Sequence, residues 1–142
     1  MIALLIYFVK DFINALLASI QSAHPGLDLS SQFSALMNLY NTGGRGVVVY
    51  RLADDNQQSN PINNRPLIDA EYNLTFVTNE YFDYLRRDGD ANGLNFWLIQ
   101  INNAPLRNID KQHAMVCSFI NSTEYQQRFG EIITHNQQLE CQ

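Results

Sequence analysis

Apolar residues return along most of this chain at intervals of three and four, the period of a helix with one buried face. Ile6, Val9, Ile13, Leu16, Leu17 and Ile20 share such a face, and His24-Pro25-Gly26 then stops the run. Between residues 27 and 44, Leu29, Phe33, Leu36, Met37 and Tyr40 follow the same spacing; Asp28 or Ser30 can cap the start and Gly43 can end it. The stretch GRGVVVYRLADD (44–55) is ambiguous. Three successive valines favour a strand, while its length and the Arg51-Leu52-Ala53 ending suit a short helix, which is the reading adopted. Residues 56–66, NQQSNPINNRP, combine two prolines with polar amides and are expected to form the longest surface loop.

From Pro66 a long helix is predicted, with Leu74, Val77, Tyr81, Tyr84 and Leu85 on one face and Arg86 and Arg87 in a last turn that reaches about Asp88. Leu94, Trp97, Leu98 and Ile101 form the next stripe, closed by Asn102-Asn103-Ala104-Pro105. Ile109, His113, Val116, Cys117 and Ile120 make another. Asn121 or Ser122 can cap a final helix bearing Tyr125, Phe129 and Ile132, with Glu124 placed for a capping box with Asn121. No strand-like alternation is sustained. The fold class expected is therefore all-α, a single compact bundle of about six or seven short helices. At 142 residues one domain with one core is expected over 1–142, drawing on Phe33, Leu36, Val77, Tyr81, Leu85, Trp97, Leu98, Val116 and Phe129.

Composition narrows the function. With 46% hydrophobic residues the chain can build a real interior. Its 14 acidic residues against 9 basic ones leave a net charge of -5, so no nucleic-acid partner is expected. The opening MIALLIYFV is apolar, but Lys10, Asp11 and Asn14 interrupt it too early for a membrane span. No basic residue precedes it and no small-residue cleavage site follows, so there is no clear signal peptide. Two cysteines, Cys117 and Cys141, do not make a disulfide-dense scaffold.

Candidate chemistry is sparse. Asp88-x-Asp90-x-Asn92-Gly93 matches the opening of a calcium loop, so Asp88, Asp90 and Asn92 are the candidate metal residues and calcium the candidate ion. The twelfth position is Ile99 rather than a bidentate acid, and Asn95 stands where an apolar eighth residue belongs. A helix-to-helix turn explains the segment better, with Asn92 as cap and Gly93 permitting close packing. His113 and Cys117 lie one helical turn apart and, with His135 and Cys141, offer donors for zinc. The spacing fits no common finger, and a core cysteine beside a partly buried histidine is the simpler reading. Glu80-Asp83 and the other carboxylate pairs fall where solvated faces are expected, which leaves no acid–base dyad. Gly43-Gly44-Arg45-Gly46 lacks the lysine of a phosphate loop. The dense aromatics from Tyr72 to Trp97 are at core spacing. No catalytic or cofactor-binding residue is assigned.

EYNLTFVTNEYFDYLRRDGDANGLNFW (71–97) followed by AMVCSFINSTEYQQRFG (114–130) resembles the bacterial domain-of-unknown-function family 4214. That family has an aromatic-rich helix ending in Leu-x-Arg, a Pro-Asp-x-x-Gly-Leu-x-x-Trp turn and a closing Ser-x-Glu-Phe/Tyr-x-x-Arg-Phe helix. Here Gly89-Asp90 replaces its Pro-Asp. The resemblance is strongest over 71–130 and, through 28–55, leaves out only the apolar stretch 1–10. It implies a helical, phycobilisome-linker-like module of secreted or cell-surface bacterial proteins, with no catalytic residues to carry over. The expectation is a non-catalytic interaction or structural module, extracellular or in the cell envelope, with a protein partner or self-association. The alternatives are a calcium-binding module and a small hydrolase-type enzyme without a recognisable motif. Two surfaces are candidates for contact: the N-terminal Ile2, Leu4, Leu5, Tyr7 and Phe8, and the loop 56–66.

Overall fold

The computed structural model describes residues 2–56, 58–103, 108–129 and Cys141, the first five of them by backbone alone. The described residues form six α-helices and one 3-10 turn, with no strand. They are α1 (Ile2–Ala23), α2 (Phe33–Ala53), α3 (Arg65–Leu85), α4 (Ala91–Asn102), α5 (Ile109–Ile120) and α6 (Thr123–Phe129), the 3-10 turn being Ser30–Gln32. The all-α class follows the predicted periodicities. The interior, however, gathers into two clusters where length alone suggested one core, and the chain divides into units at Met1–Ala70 and Glu71–Gln142.

In the first unit the cluster is Ile13, Leu29, Leu36, Val48, Leu52, Ile62 and Leu67, with Phe12, Leu16, Phe33 and Tyr40 packed against it. His24-Pro25-Gly26 ends α1, with Gly26 at φ 95°, a conformation open to glycine. Asp28 then accepts a hydrogen bond from the Ser30 amide at 2.8 Å, which lowers the pKa of its carboxyl and shapes the turn into Ser30–Gln32. The two helical segments predicted on either side of Gly43 are both present: α2 is broken at Gly44, whose backbone (φ 72°, ψ -167°) is non-helical, so two helices meet there across a kink, next to the expected stop. GRGVVVYRLADD is thus helical through Ala53, because Val48 and Leu52 reach the core at helical spacing and override the strand preference of valine.

The loop after α2 is exposed along most of its described length, as expected, but Ile62 and Asn64 are buried in it. Asn64 is 0% exposed, and its side-chain amide donates to the carbonyls of Arg51, Leu52 and Asp54 at 3.0, 2.9 and 2.8 Å. Asn60 adds a bond to the Arg51 carbonyl at 2.7 Å. These are the orphan acceptors at the C-terminal end of α2, so the amides of the loop close that helix. The Asn64 carbonyl in turn accepts from Leu67 and Ile68 at the start of α3. Ile62 is buried beside it.

In the second unit Val77, Tyr81 and Leu85 of α3 meet Ile101 of α4, Met115, Phe119 and Ile120 of α5 and Tyr125 of α6. Trp97 is half-buried, edge-on to Phe119 at 6.0 Å. Phe129, expected in the core, is exposed, and Met115 and Phe119 occupy the interior instead. The α5 face is therefore rotated from the predicted stripe: His113 is exposed, and Val116 and Cys117 are half-buried. Asp90 caps α4, Asn108 caps α5 and Ser122 caps α6 through the Tyr125 amide. Ile132 lies outside the described residues.

Candidate functional site

Besides the amides that close α2, two clusters of polar side chains in the second unit are candidates for chemistry. The first begins where α3 stops. Leu85 is its last residue, short of the predicted Asp88, because Arg86 adopts the left-handed conformation (φ 52°) usually left to glycine. That reversal turns Arg87 away from the helix axis and toward α6. Its Nε donates to Glu124 Oε1 at 2.7 Å and its Nη2 to Oε2 at 2.9 Å, a parallel two-bond pairing. Glu124 is therefore not reaching back to Asn121 as a capping box would require.

Arg87 also donates from Nη1 to the Asp88 carbonyl at 3.0 Å and stands 3.7 Å from Asp90 Oδ2. Arg128 lies 3.8 Å from Glu124 Oε1 and donates to the Arg86 carbonyl at 3.3 Å. Two guanidinium groups and two carboxylates thus balance in one network. Bonding to Arg87 holds the Glu124 carboxyl below the usual glutamate range, and the same bond raises the arginine further. The face of Tyr81 carries the Arg87 guanidinium at 5.2 Å from the ring centre. Burial, with the Asp90 charge adding to it, pushes the Tyr81 hydroxyl up.

The calcium-type turn is part of this network. Asp90 Oδ1 accepts from the Gly93 amide at 3.0 Å, and that bond keeps its carboxyl low. Asp90, rather than Asn92, is the helix cap; Asn92 is exposed within the first turn of α4, and Asp88 is exposed ahead of it. The three candidate oxygen donors are thus a helix cap at Asp90, a residue within α4 at Asn92 and an exposed side chain at Asp88 next to the Arg87 guanidinium. Gly93 does allow close packing, as its position suggested: a Cβ there would run into the Tyr81 hydroxyl, and one at Gly89 would meet Leu94 Cδ2 at 2.5 Å.

The second cluster is His113, Cys117 and Cys141, whose ligand-type atoms all lie within 4.8 Å of one another. Cys117 and Cys141 form a disulfide with Cα atoms 5.5 Å apart, and His113 Nε2 is 3.5 Å from Cys117 Sγ. Cys117 is thus not the plain core thiol expected of its stripe. The even cysteine count was the signal available, but spacing alone could not show that residues 24 apart meet. His135, the fourth donor considered for zinc, lies outside the described residues.

Glu80 also differs from expectation. It is half-buried rather than solvated, and burial, with the nearby Asp83 charge, raises its carboxyl pKa.

The arrangement defines a class before a family: a small all-helical unit whose signature polar residues bond to one another around helix ends. Residues 68–129 match the model of a family described as a domain of unknown function, DUF4214. No curated protein and no solved structure matches the chain. The family residues quoted above map onto the network directly. The Leu-x-Arg end is Leu85 to Arg87, the acid of the turn is Asp90, the Gly-Leu is Gly93-Leu94, and the closing helix supplies Ser122, Glu124, Tyr125 and Arg128.

Proposed function

We propose that the protein is a non-catalytic helical module of an exported or cell-surface bacterial protein, acting through protein–protein contact, and that a second copy of the chain is one partner. The observation that carries this reading is on α1. Tyr7 and Phe8 are 67% and 59% exposed while Val9 and Ile13 of the same helix are buried, so α1 has apolar surface left after its core face is covered. Exposed aromatic side chains are the residue type that contributes most per residue to a protein interface. The side chains of Ile2, Leu4 and Leu5 lie outside the described residues.

Two further features support the module reading. The polar groups of the family signature neutralise and cap one another, which leaves no nucleophile–base pair among them. The Cys117–Cys141 disulfide belongs with oxidising surroundings, in line with export. No described helix is long and apolar enough to cross a membrane.

The test is sedimentation velocity over a concentration series. The wild type should self-associate, and the double variant Tyr7→Asp, Phe8→Asp should be monomeric with unchanged helical circular dichroism. A monomeric wild type at high concentration, or a variant that assembles equally well, would sink the proposal.

A further inference from the structure

The His113, Cys117 and Cys141 cluster shares no residue with the Arg87–Glu124 network. It combines a rigid half and an adjustable one. His113 and Cys117 are four residues apart on α5, so the helix itself presents both side chains from one face. Their donor atoms are 3.5 Å apart. In a tetrahedral zinc site, with Zn–S near 2.3 Å and Zn–N near 2.0 Å, a sulfur and a nitrogen ligand stand roughly 3.5 Å apart and two sulfurs roughly 3.8 Å apart. The His113–Cys117 edge thus already has the length of a zinc tetrahedron. The third donor, Cys141, lies within 4.8 Å of the other two, and its sulfur is held in the covalent bond to Cys117, so neither sulfur is a thiolate that could bind an ion.

We propose that these three residues are a redox-gated zinc site: closed as a disulfide, and a Cys2His ligand set once that disulfide is reduced. A dithiol reductant delivers two electrons and two protons to the Cys117–Cys141 bond, becomes a cyclic disulfide itself, and leaves two thiols. Zinc(II) then displaces both thiol protons to solvent as two Zn–S bonds form, and neutral His113 supplies its Nε2 lone pair. Water takes the fourth position. In reverse, a disulfide oxidant withdraws two electrons from the two thiolates, the S–S bond re-forms and the ion leaves, while the oxidant takes up two protons as it becomes two thiols.

The donor set selects the metal. Two thiolates and an imidazole suit zinc and do not suit calcium or magnesium, which take oxygen ligands. Both half-buried cysteines and the exposed His113 can be reached by solvent, so reductant and ion have access. The compartment decides which state is populated: in reducing surroundings the dithiol set meets zinc, and in oxidising ones the disulfide replaces it.

The experiment uses the full chain, oxidised or reduced with a phosphine that is then removed under argon, with zinc(II) or cobalt(II) alone as the probe. The reduced chain should bind one zinc ion in competition with a chromophoric chelator, and the oxidised chain should bind none at this site. Cobalt(II) should give thiolate-to-metal charge-transfer bands and the intense visible bands of tetrahedral geometry in the reduced chain alone. Zinc should raise the melting temperature of the reduced chain and leave that of the oxidised chain unchanged. His113→Ala, an exposed position, should keep the helical spectrum and weaken zinc binding by more than the roughly 10- to 100-fold typical of losing an outer-shell partner. Equal affinity in both redox states, a cobalt complex without thiolate bands, or undiminished binding by His113→Ala overturns the proposal. So does failure of the reduced chain to bind, whether or not its helices persist.

Discussion

Arg87 and Glu124, 37 residues apart, meet through two parallel hydrogen bonds of 2.7 and 2.9 Å, tying the end of α3 to the start of α6. Both side chains are about one-third exposed, so solvent screens the attraction, but the fork geometry and the flanking Asp90 and Arg128 place the pair at the upper end for surface ion pairs. A double-mutant cycle with Arg87→Ala and Glu124→Ala should give a coupling near 1 kcal/mol by urea unfolding. A coupling indistinguishable from zero would remove this pair as the lock of the second unit.

Acid should weaken the same pair. The folded-state pKa of Glu124 is depressed, so its contribution is present above the unfolded value of about 4.3 and is lost as pH falls through the folded value. Relative to Glu124→Gln, the wild type should lose stability on acidification below about pH 4.5. Parallel stability curves for the two proteins across that window would contradict the assignment.

Glu80 should behave with the opposite sign. Burial raises its folded-state pKa, so its favourable state is the neutral acid, present below the unfolded value and lost as pH rises through the folded one. Glu80→Gln should therefore be more stable than the wild type at neutral pH, and the difference should shrink in acid. Thermal melts at pH 4 and pH 7 measure it, and a Gln variant less stable at pH 7 would refute the direction.

Asn64 closes α2 by donating to three carbonyls in a fully buried position. Asn64→Ala leaves those acceptors without that donor and should cost about 2–3 kcal/mol. Asn64→Asp should cost more, since it replaces a donor with an anion facing carbonyl oxygens at the negative end of a helix. Chemical denaturation ranks the three proteins, and an Asp variant as stable as the wild type would show that the amide does not act as a donor there.

Arg86 stops α3 in the left-handed region. Arg86→Gly relieves that backbone and should raise stability by about 0.5 kcal/mol, whereas Arg86→Val should lower it by about 1 kcal/mol or more. The Arg128 bond to the residue 86 carbonyl survives either change. Destabilisation by glycine as large as by valine would mean that the arginine side chain, rather than the backbone, matters here.

At the turn of residues 88–92, with Asp90 bonded to the Gly93 amide and facing Arg87, added calcium should leave the melting temperature unchanged. Calorimetric binding tighter than millimolar would reverse this.

Periodicity by itself determined the all-helical class and most of the helix positions, because burying one face of a helix imposes a three- and four-residue repeat that any reader of the chain can see. Motif spacing was enough to point to the family whose model matches residues 68–129, since those residue types stand at the separations the motif asks for. Local rules worked where the partner is a neighbour in sequence, as for Ser122 capping α6 or Gly26 ending α1. They failed where a local group has a better distant partner. Glu124 passed over the capping box because a guanidinium 37 residues away offers two charge-assisted bonds, and Asn64 left the surface because α2 presented three unmatched carbonyls. The rotated face of α5, which buries Met115 and Phe119 and exposes His113, was likewise set by what α3 and α4 bring against it. The meeting of Cys117, Cys141 and His113 and the division into two cores are also properties of the folded chain, for the repeat says which face is buried and not against what.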